Sequence, residues 1–314
     1  MIKKPRPERS TQERVINLFT NKNHSDYLGY KFLGDWHLKE RNSCIEKDLL
    51  RQNLENRGYS AQHINAALHK LELAAESTGV SLYHANLRTY NMLRYGVKVQ
   101  IIAGHSYETV HLIDWENTEE NDFAIAEEVT LKGGFQRRPD LVIYLNGLAI
   151  GVIELKRSSV DVVDGIRQLN TNQEEIFNKG FFSTVQFVFA GNDSQGLRYG
   201  TIGTPEKYFL KWKGISEDEI KDDFLLDKAL RQICKKSTLL DLIYNCIIFD
   251  AGRKKVPRLH QYIAFKKAQE RIKKREGGII WHTQGSGKSI LMVLLAKWLL
   301  EYDSDCKSSI SESE

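Results

Sequence analysis

Residues 137–158, "RRPDLVIYLNGLAIGVIELKRS", hold two apolar runs, Leu141 to Leu145 and Leu148 to Ile153, joined by Asn146-Gly147. An Asn-Gly pair between apolar runs is a strong short-range signal for a β-hairpin. In the first run Val142 and Tyr144 alternate with Leu141, Ile143 and Leu145, so both faces are apolar. Such strands are buried on both sides. Yet Asp140 opens the first run, and Glu154 and Lys156 flank Leu155 at the end of the second. Charges at the ends of buried strands are costly unless they are paired or hold a cation. This segment therefore predicts two strands buried on both faces, with two carboxylates and an ammonium at their ends.

Thirteen residues separate the two acids. Glu154 and Lys156 are two apart on one strand and so share a face. Whether Asp140 joins them depends on register. A two-residue loop at Asn146-Gly147 pairs Leu145 with Leu148 and Asp140 with Ile153, which sends Glu154 to the opposite face. A three-residue loop, or an equivalent bulge, sets Asp140 directly across from Glu154 with Cβ atoms about 4.5–5.5 Å apart. Magnesium is usually held by one or two carboxylates plus water and substrate phosphate. An ammonium alongside could orient or deprotonate an attacking water. A shared ion thus demands the odd loop or the bulge.

A second constellation lies at "IIWHTQGSGKSILMVLLAKW", residues 279–298: an apolar run, a glycine-rich turn, then an apolar helical pattern. This is the context of a phosphate-binding loop. Gly285 and Gly287 allow backbone N–H groups to close on phosphate oxygens, Lys288 reaches the β and γ phosphates, and Ser289 can ligate magnesium. Thr283 and Ser286 complete the loop, and His282 stands where the full pattern has glycine. Gln261 lies twenty-seven residues before Lys288, and the resemblance of this region to helicase-like motors implies a glutamine that reads the adenine edge at that place. The basic stretch from Lys266 to Arg275 can touch DNA phosphates or simply face solvent.

The first constellation resembles the PD-(D/E)xK nuclease superfamily, and "HTQGSGKS" resembles motif I of superfamily 2 helicases and translocases. The resemblance implies that Asp140 and Glu154 bind magnesium and that Lys156 assists hydrolysis of a DNA phosphodiester. It adds Glu13 as a glutamate from an earlier helix. It also adds Gln168 from a QxxxY motif in which Asn172 stands in the tyrosine's place. With the nuclease hairpin first and the motor loop after it, the chain resembles the restriction subunit of Type I restriction-modification enzymes. The resemblance carries on "RRPDLVIYLNGLAIGVIELK", "LLDLIYNCIIFD", "RLHQY" and "IIWHTQGSGKSILM", and reaches about Tyr302. It implies a Type I site-specific deoxyribonuclease with Mg2+ and ATP as cofactors, and ATP-driven translocation of double-stranded DNA. It implies as partners double-stranded DNA and the methyltransferase and specificity subunits.

The expected fold is α/β: a mixed central sheet flanked by helices, restriction-endonuclease-like, followed by the first strand-loop-helix unit of a RecA-like motor. "DAGRKKVPRLH", with Pro257, marks the boundary. Residues 1–255 form the nuclease domain, 256–302 the truncated start of the ATPase domain, and 303–314 a polar, disordered tail. With half a nucleotide cleft, ATP turnover by this chain alone is not expected. Two rivals fit parts of the sequence. One is a non-catalytic docking or DNA-binding module of a helicase-like ATPase, with the hairpin as scaffold. The other is a helicase-associated ATPase with no nuclease.

The rest of the chain sets bounds. Its 314 residues suit about two domains, and a net charge of +4 permits a nucleic-acid partner without arguing for one. Four scattered cysteines with no CxxC pair suit free thiols in a reducing cytoplasm. The charged N-terminus is no signal peptide, and the apolar run at "SILMVLLAKWLL" is too short to span a bilayer. A cytoplasmic location without a membrane contact is expected. Ser10 or Thr11 caps a first helix, two helices flank Gly58, and Met92 to Leu131 reads as strands. A helix follows near Val163 to Phe177, then a buried strand in "STVQFVFAG", a capping box at Ser216 and Glu219, and a helix in "STLLDLIYNCIIF".

Overall fold

The structure is a computed structural model that describes residues 8–23, 27–132, 135–212 and 224–311, with backbone alone beyond 302. Helix α1 (Glu8–Thr20) leads into strand β1 (Lys31–Asp35). Helices α2 (Lys47–Asn56), α3 (Ala61–Ala75) and α4 (Leu82–Tyr95) follow, then a small hairpin of β2 (Val97–Val99) and β3 (Glu108–Val110). Next come β4 (Phe123–Glu127), β5 (Leu141–Leu145), β6 (Leu148–Leu155), α5 (Val162–Asn172), β7 (Phe187–Asn192), β8 (Gly196–Gly200) and β9 (Leu210–Lys211). Helices α6 (Leu225–Ile233) and α7 (Lys236–Cys246) precede the hairpin of β10 (Ile248–Asp250) and β11 (Arg253–Lys255). Helices α8 (Leu259–Lys273) and α9 (Lys288–Ser311) end the described chain.

The central sheet has seven strands in the order β1-β4-β5-β6-β7-β8-β9. It is mixed: β1 with β4 and β6 with β7 run parallel, and the other neighbours are antiparallel. Every residue of β4, β5, β6 and β7 is buried, as the two-faced apolar runs require. Helices α1 and α5 pack over β6, and α6 over β8. The expected mixed sheet flanked by helices is therefore present.

Several local expectations shift. Helix α1 already includes Ser10 and Thr11, and Thr11 is fully buried, so neither is its cap. Much of the strand-like region after Met92 is loop, and Met92 itself lies in α4, whose N-cap is Ser81. The Ser216–Glu219 capping box falls outside the described residues. "DAGRKK" folds as the β10–β11 hairpin, with Ala251 and Gly252 both at positive φ in its turn. Lys254 of this hairpin is buried and donates to Asn86 Oδ1 and Gln186 Oε1 at 2.8 and 2.6 Å, tying the hairpin to α4 and the sheet.

Two differences concern the C-terminal part. The run before the phosphate loop is not a strand, and Ile279 and Trp281 are 89% and 90% exposed. A buried strand needs neighbours on both edges to take its backbone hydrogen bonds, and no described strand lies beside this one. Helix α9 continues to Ser311, through the segment expected to be disordered. No glycine or proline interrupts residues 288–311, so nothing in the local sequence stops the helix.

Candidate active site at the end of the central hairpin

The Asn-Gly turn has the two residues first suggested, yet the two acids still meet. Asn146 and Gly147 have φ of 52° and 82°, the mirror-image turn that two-residue hairpins favour. Leu145 pairs with Leu148 and Tyr144 with Ala149, but Ile143 then pairs with Gly151. Ile150 is the extra residue of a β-bulge. Beyond it Leu141 pairs with Ile153, which brings Asp140 opposite Glu154. The bulge takes the part that the sequence alone left to either a longer loop or a bulge.

The turn itself is no surface feature. Asn146 is fully buried, donates to Leu112 O and Asn121 Oδ1, each at 2.9 Å, and accepts from Asp122 N at 2.7 Å. A Cβ on Gly147 would lie 2.7 Å from both Glu46 O and Leu49 Cβ, so its positive φ and the close approach of α2 both demand glycine. The hairpin is clamped at the turn and presents its open end.

At that end Glu154 is fully buried and its Oε2 has no hydrogen-bond partner. Lys156 Nζ lies 3.8 Å from Glu154 Oε2. Asp140 Oδ2 accepts the Leu155 N–H at 2.6 Å. Burial pushes the Asp140 carboxyl up to about 6, against the Leu155 N–H and the Lys156 charge that favour ionisation. Burial, then the Asp140 charge, hold Glu154 well above the usual carboxylate range. Burial lowers the Lys156 ammonium, but Glu154, Asp140 and Glu8 together outweigh it and carry it above its ordinary value. Two carboxylates that resist ionising together, beside one cation, form a site that an added cation would relieve.

Helix α1 supplies a glutamate, but not the one expected. Glu8 Oε1 is 3.4 Å from Lys156 Nζ, whereas Glu13 is exposed and pairs with Arg9 Nε at 3.2 Å. The helical spacing explains it, because Glu8 lies on the stripe of Thr11, Gln12, Val15 and Phe19 that faces the sheet. Gln12, from the same stripe, donates to Glu127 Oε2 at 3.2 Å and to Glu128 Oε1 at 3.1 Å. Glu128 sits at φ 53° with its N–H on Asp140 O at 2.9 Å. Arg138 closes on its carboxylate at 2.7 Å. No motif marks Glu8, Gln12 or Glu128 in the sequence, although a helical stripe anchored on Val15 and Phe19 passes through the first two.

Helix α5 covers the other side. A Cβ on Gly165 would lie 3.5 Å from Lys156 Cγ and 3.7 Å from Glu154 Cβ, which shows how closely this helix approaches β6. Gln168 is only half-buried and makes no hydrogen bond to the described residues of the cluster. Asn172 is fully buried and donates to Glu154 Oε1 at 3.5 Å.

The donor set fits magnesium: hard carboxylate oxygens, one of them buried and unpartnered. Among the described residues no three His, Cys, Asp or Glu side chains gather to hold a metal. The carboxylates that the hairpin register brings together here are two, Asp140 and Glu154.

The phosphate loop is a separate place in the molecule. Gly285 and Gly287 both have positive φ, and α9 starts at Lys288, so its first N–H groups face the loop. Lys288 Nζ donates to His282 O at 3.0 Å and Thr283 O at 3.4 Å. Thr283 and Ser289 are exposed, and Ser286 is buried. Gln261 is 1% exposed, and its amide donates to Ser286 O and Gly287 O while accepting from Arg258 N. In this arrangement it braces the loop, and reading an adenine edge would require those bonds to open. A cleft of about 380 Å³ opens beside the loop, lined among others by Tyr208, Arg253, Lys255, Arg258, Gly285 and Gly287.

No helix of the described residues is long and apolar enough to cross a membrane. Cys44, Cys234 and Cys246 are buried and free.

Residues 8–207 match the family described as Type I restriction enzyme R protein N terminus. Residues 260–310 match the SWI2/SNF2 ATPase family. Among curated proteins, the chain is 30% identical over 298 residues to the MjaVIIIP type I restriction enzyme endonuclease subunit of Methanocaldococcus jannaschii, covering 86% of this chain and 27% of that one. It is 29% identical over 238 residues to the Type I restriction enzyme HindI endonuclease subunit of Haemophilus influenzae, covering 68% and 22%. The chain thus spans about a quarter of the length of these relatives.

Proposed function

This chain belongs to the family of Type I restriction enzyme R protein N termini, and we propose that its Asp140–Glu154–Lys156 cluster is a magnesium-dependent nuclease centre acting on double-stranded DNA. The observation that carries the reading is the bulge at Ile150, which places two carboxylates across from one another at the end of a buried hairpin. A scaffold hairpin gains nothing from a register that brings two acids together. Asp140 and Glu154 would hold Mg2+, which when bound supplies Lewis acidity at the scissile phosphate. Lys156, beside Glu154, donates hydrogen bonds to the attacking water or to a phosphate oxygen. Glu8 holds Lys156 from the α1 side and takes the place assigned to Glu13. Gln168 is half-buried on α5, where DNA laid against the cluster can reach it.

On this reading residues 1–255 form a restriction-endonuclease-like domain, and residues from 256 onward begin a RecA-like motor. ATP belongs at the phosphate loop, with Gly285, Gly287 and the start of α9 around its phosphates and Lys288 and Ser289 at the γ-phosphate and its Mg2+. In the whole protein, nucleotide turnover drives DNA past the nuclease, and methyltransferase and specificity subunits choose the site. The match to an ATPase family over residues 260–310 supports the motor assignment.

The experiment is plasmid nicking in Mg2+ by the intact restriction complex carrying Glu154→Gln. The expected result is loss of cleavage with DNA-stimulated ATP hydrolysis retained. An unchanged cutting rate would discard the assignment and leave the hairpin as the scaffold of a docking module.

A further inference from the structure

We propose that Asn172 is a positioning residue that fixes the Glu154 carboxylate for metal binding. The proposal rests on the nuclease reading above and deepens it. Helix α5 turns one stripe toward the sheet: Val162, Gly165, Ile166, Leu169 and Asn172 are its buried residues. Four of these five are apolar side chains or glycine, as packing against buried strands requires. Asn172 is the polar one, and burying an amide is costly unless it is hydrogen-bonded. Its Nδ2 has Glu154 Oε1 as acceptor at 3.5 Å. Its Oδ1 has no hydrogen-bond partner, and neither has Glu154 Oε2.

This arrangement divides the carboxylate's two oxygens between two tasks. Oε1 is addressed by the Asn172 amide from α5, and Oε2 is left toward Lys156 and the cation position. Gly165, about two turns earlier on the stripe, lets α5 sit close enough to β6 for the short side chain of asparagine to reach. A bulkier residue at 165 would lift the helix and break the contact. An amide donor suits the post because it remains neutral. It donates to Glu154 Oε1 without adding a charge that would compete with the cation. At 3.5 Å the bond is long, and a cation that held Glu154 ionised would make Oε1 a stronger acceptor for it.

The test is Mn2+ binding by the 314-residue chain, followed by loss of the free-ion electron paramagnetic resonance signal, with thermal unfolding recorded in parallel. The unaltered chain should bind one Mn2+ that Asp140→Asn and Glu154→Gln each remove. Asn172→Leu, shape-matched but without a donor, should weaken that binding about tenfold, the size of a lost hydrogen bond to a charged group. Its melting temperature without metal should not fall. Asn172→Gln, which retains an amide, should recover part of the affinity. Should the leucine variant fail to fold, Asn172→Ala at reduced temperature carries the same expectation. Equal Mn2+ affinity in the unaltered and donor-less chains would overturn the role of Asn172 and leave the nuclease centre standing. A chain whose Mn2+ binding ignores Asp140 and Glu154 would overturn both.

Discussion

Replacing Asp140 by Asn should stabilise the metal-free protein, and the gain should depend on pH. The carboxyl titrates at about 6 in the folded chain against 3.8 for its ordinary value. Its folded pKa is raised, so it contributes most to stability below about pH 4, and that contribution is lost as pH rises through 6. A tenfold change in proton affinity between the unfolded and folded chain corresponds to about 1.4 kcal/mol, so the loss levels off near about 3 kcal/mol by about pH 8. Asparagine retains an oxygen for the Leu155 N–H, now taken by Asp140 Oδ2 at 2.6 Å, while removing the charge that faces Glu154. Urea unfolding with a chelator present should therefore show Asp140→Asn more stable by up to about 3 kcal/mol at pH 8 and by under about 1 kcal/mol at pH 4. Saturating Mg2+ should reverse the order at pH 8, since only the unaltered chain gains binding energy. A destabilised Asp140→Asn at pH 8 without metal would refute the reasoning, because it would mean that the acid pair is already satisfied without a cation.

Three further outcomes follow from the same structure. Lys156→Met should retain Mn2+ binding and lower the cleavage rate of the intact enzyme by about 100-fold or more, read from single-turnover nicking. Gly147→Ala should cost about 2–4 kcal/mol in urea unfolding, because it combines φ 82° with a Cβ 2.7 Å from Glu46 O. Glu301→Gln should cost about 2–3 kcal/mol, since Arg94, whose side chain is wholly buried, pairs with Glu301 at 2.6 Å and would be left with its charge unmatched. That loss should appear in a melt of the whole chain, as the pair ties α9, the helix of the phosphate loop, to α4.

The residues at the hairpin's open end were legible because their spacing is local: two acids, a turn between them and a lysine two positions on. The need for an odd residue in the hairpin was also legible, but not its location. Ile150 looks like any other apolar strand residue, and its extra step is fixed by neighbours far along the chain, including Gln186, whose N–H donates to Ile150 O at 2.8 Å. Glu8 and Glu13 both lie in the first helix, and only the stripe set by Val15 and Phe19 distinguishes Glu8, which reaches Lys156, from Glu13, which pairs with Arg9. Asn172 was visible as a departure from a motif, but its contact with Glu154 needed the approach of α5 to β6. The strand expected before the phosphate loop fails for a related reason: a strand is a property of its neighbours, and residues 279–282 have none among those described. The β10–β11 hairpin hid in a basic segment without alternating hydrophobicity, held instead by the buried Lys254.

The claim that the Ile150 bulge exists to bring two acids onto one cation is tested most directly by a crystal of this chain soaked in Mn2+ and measured at the manganese edge. The account predicts one anomalous peak between Asp140 and Glu154, about 2.1 Å from an oxygen of each, with Lys156 beside it. An empty gap there at saturating Mn2+, or the two carboxylates on opposite faces of the sheet, would contradict it.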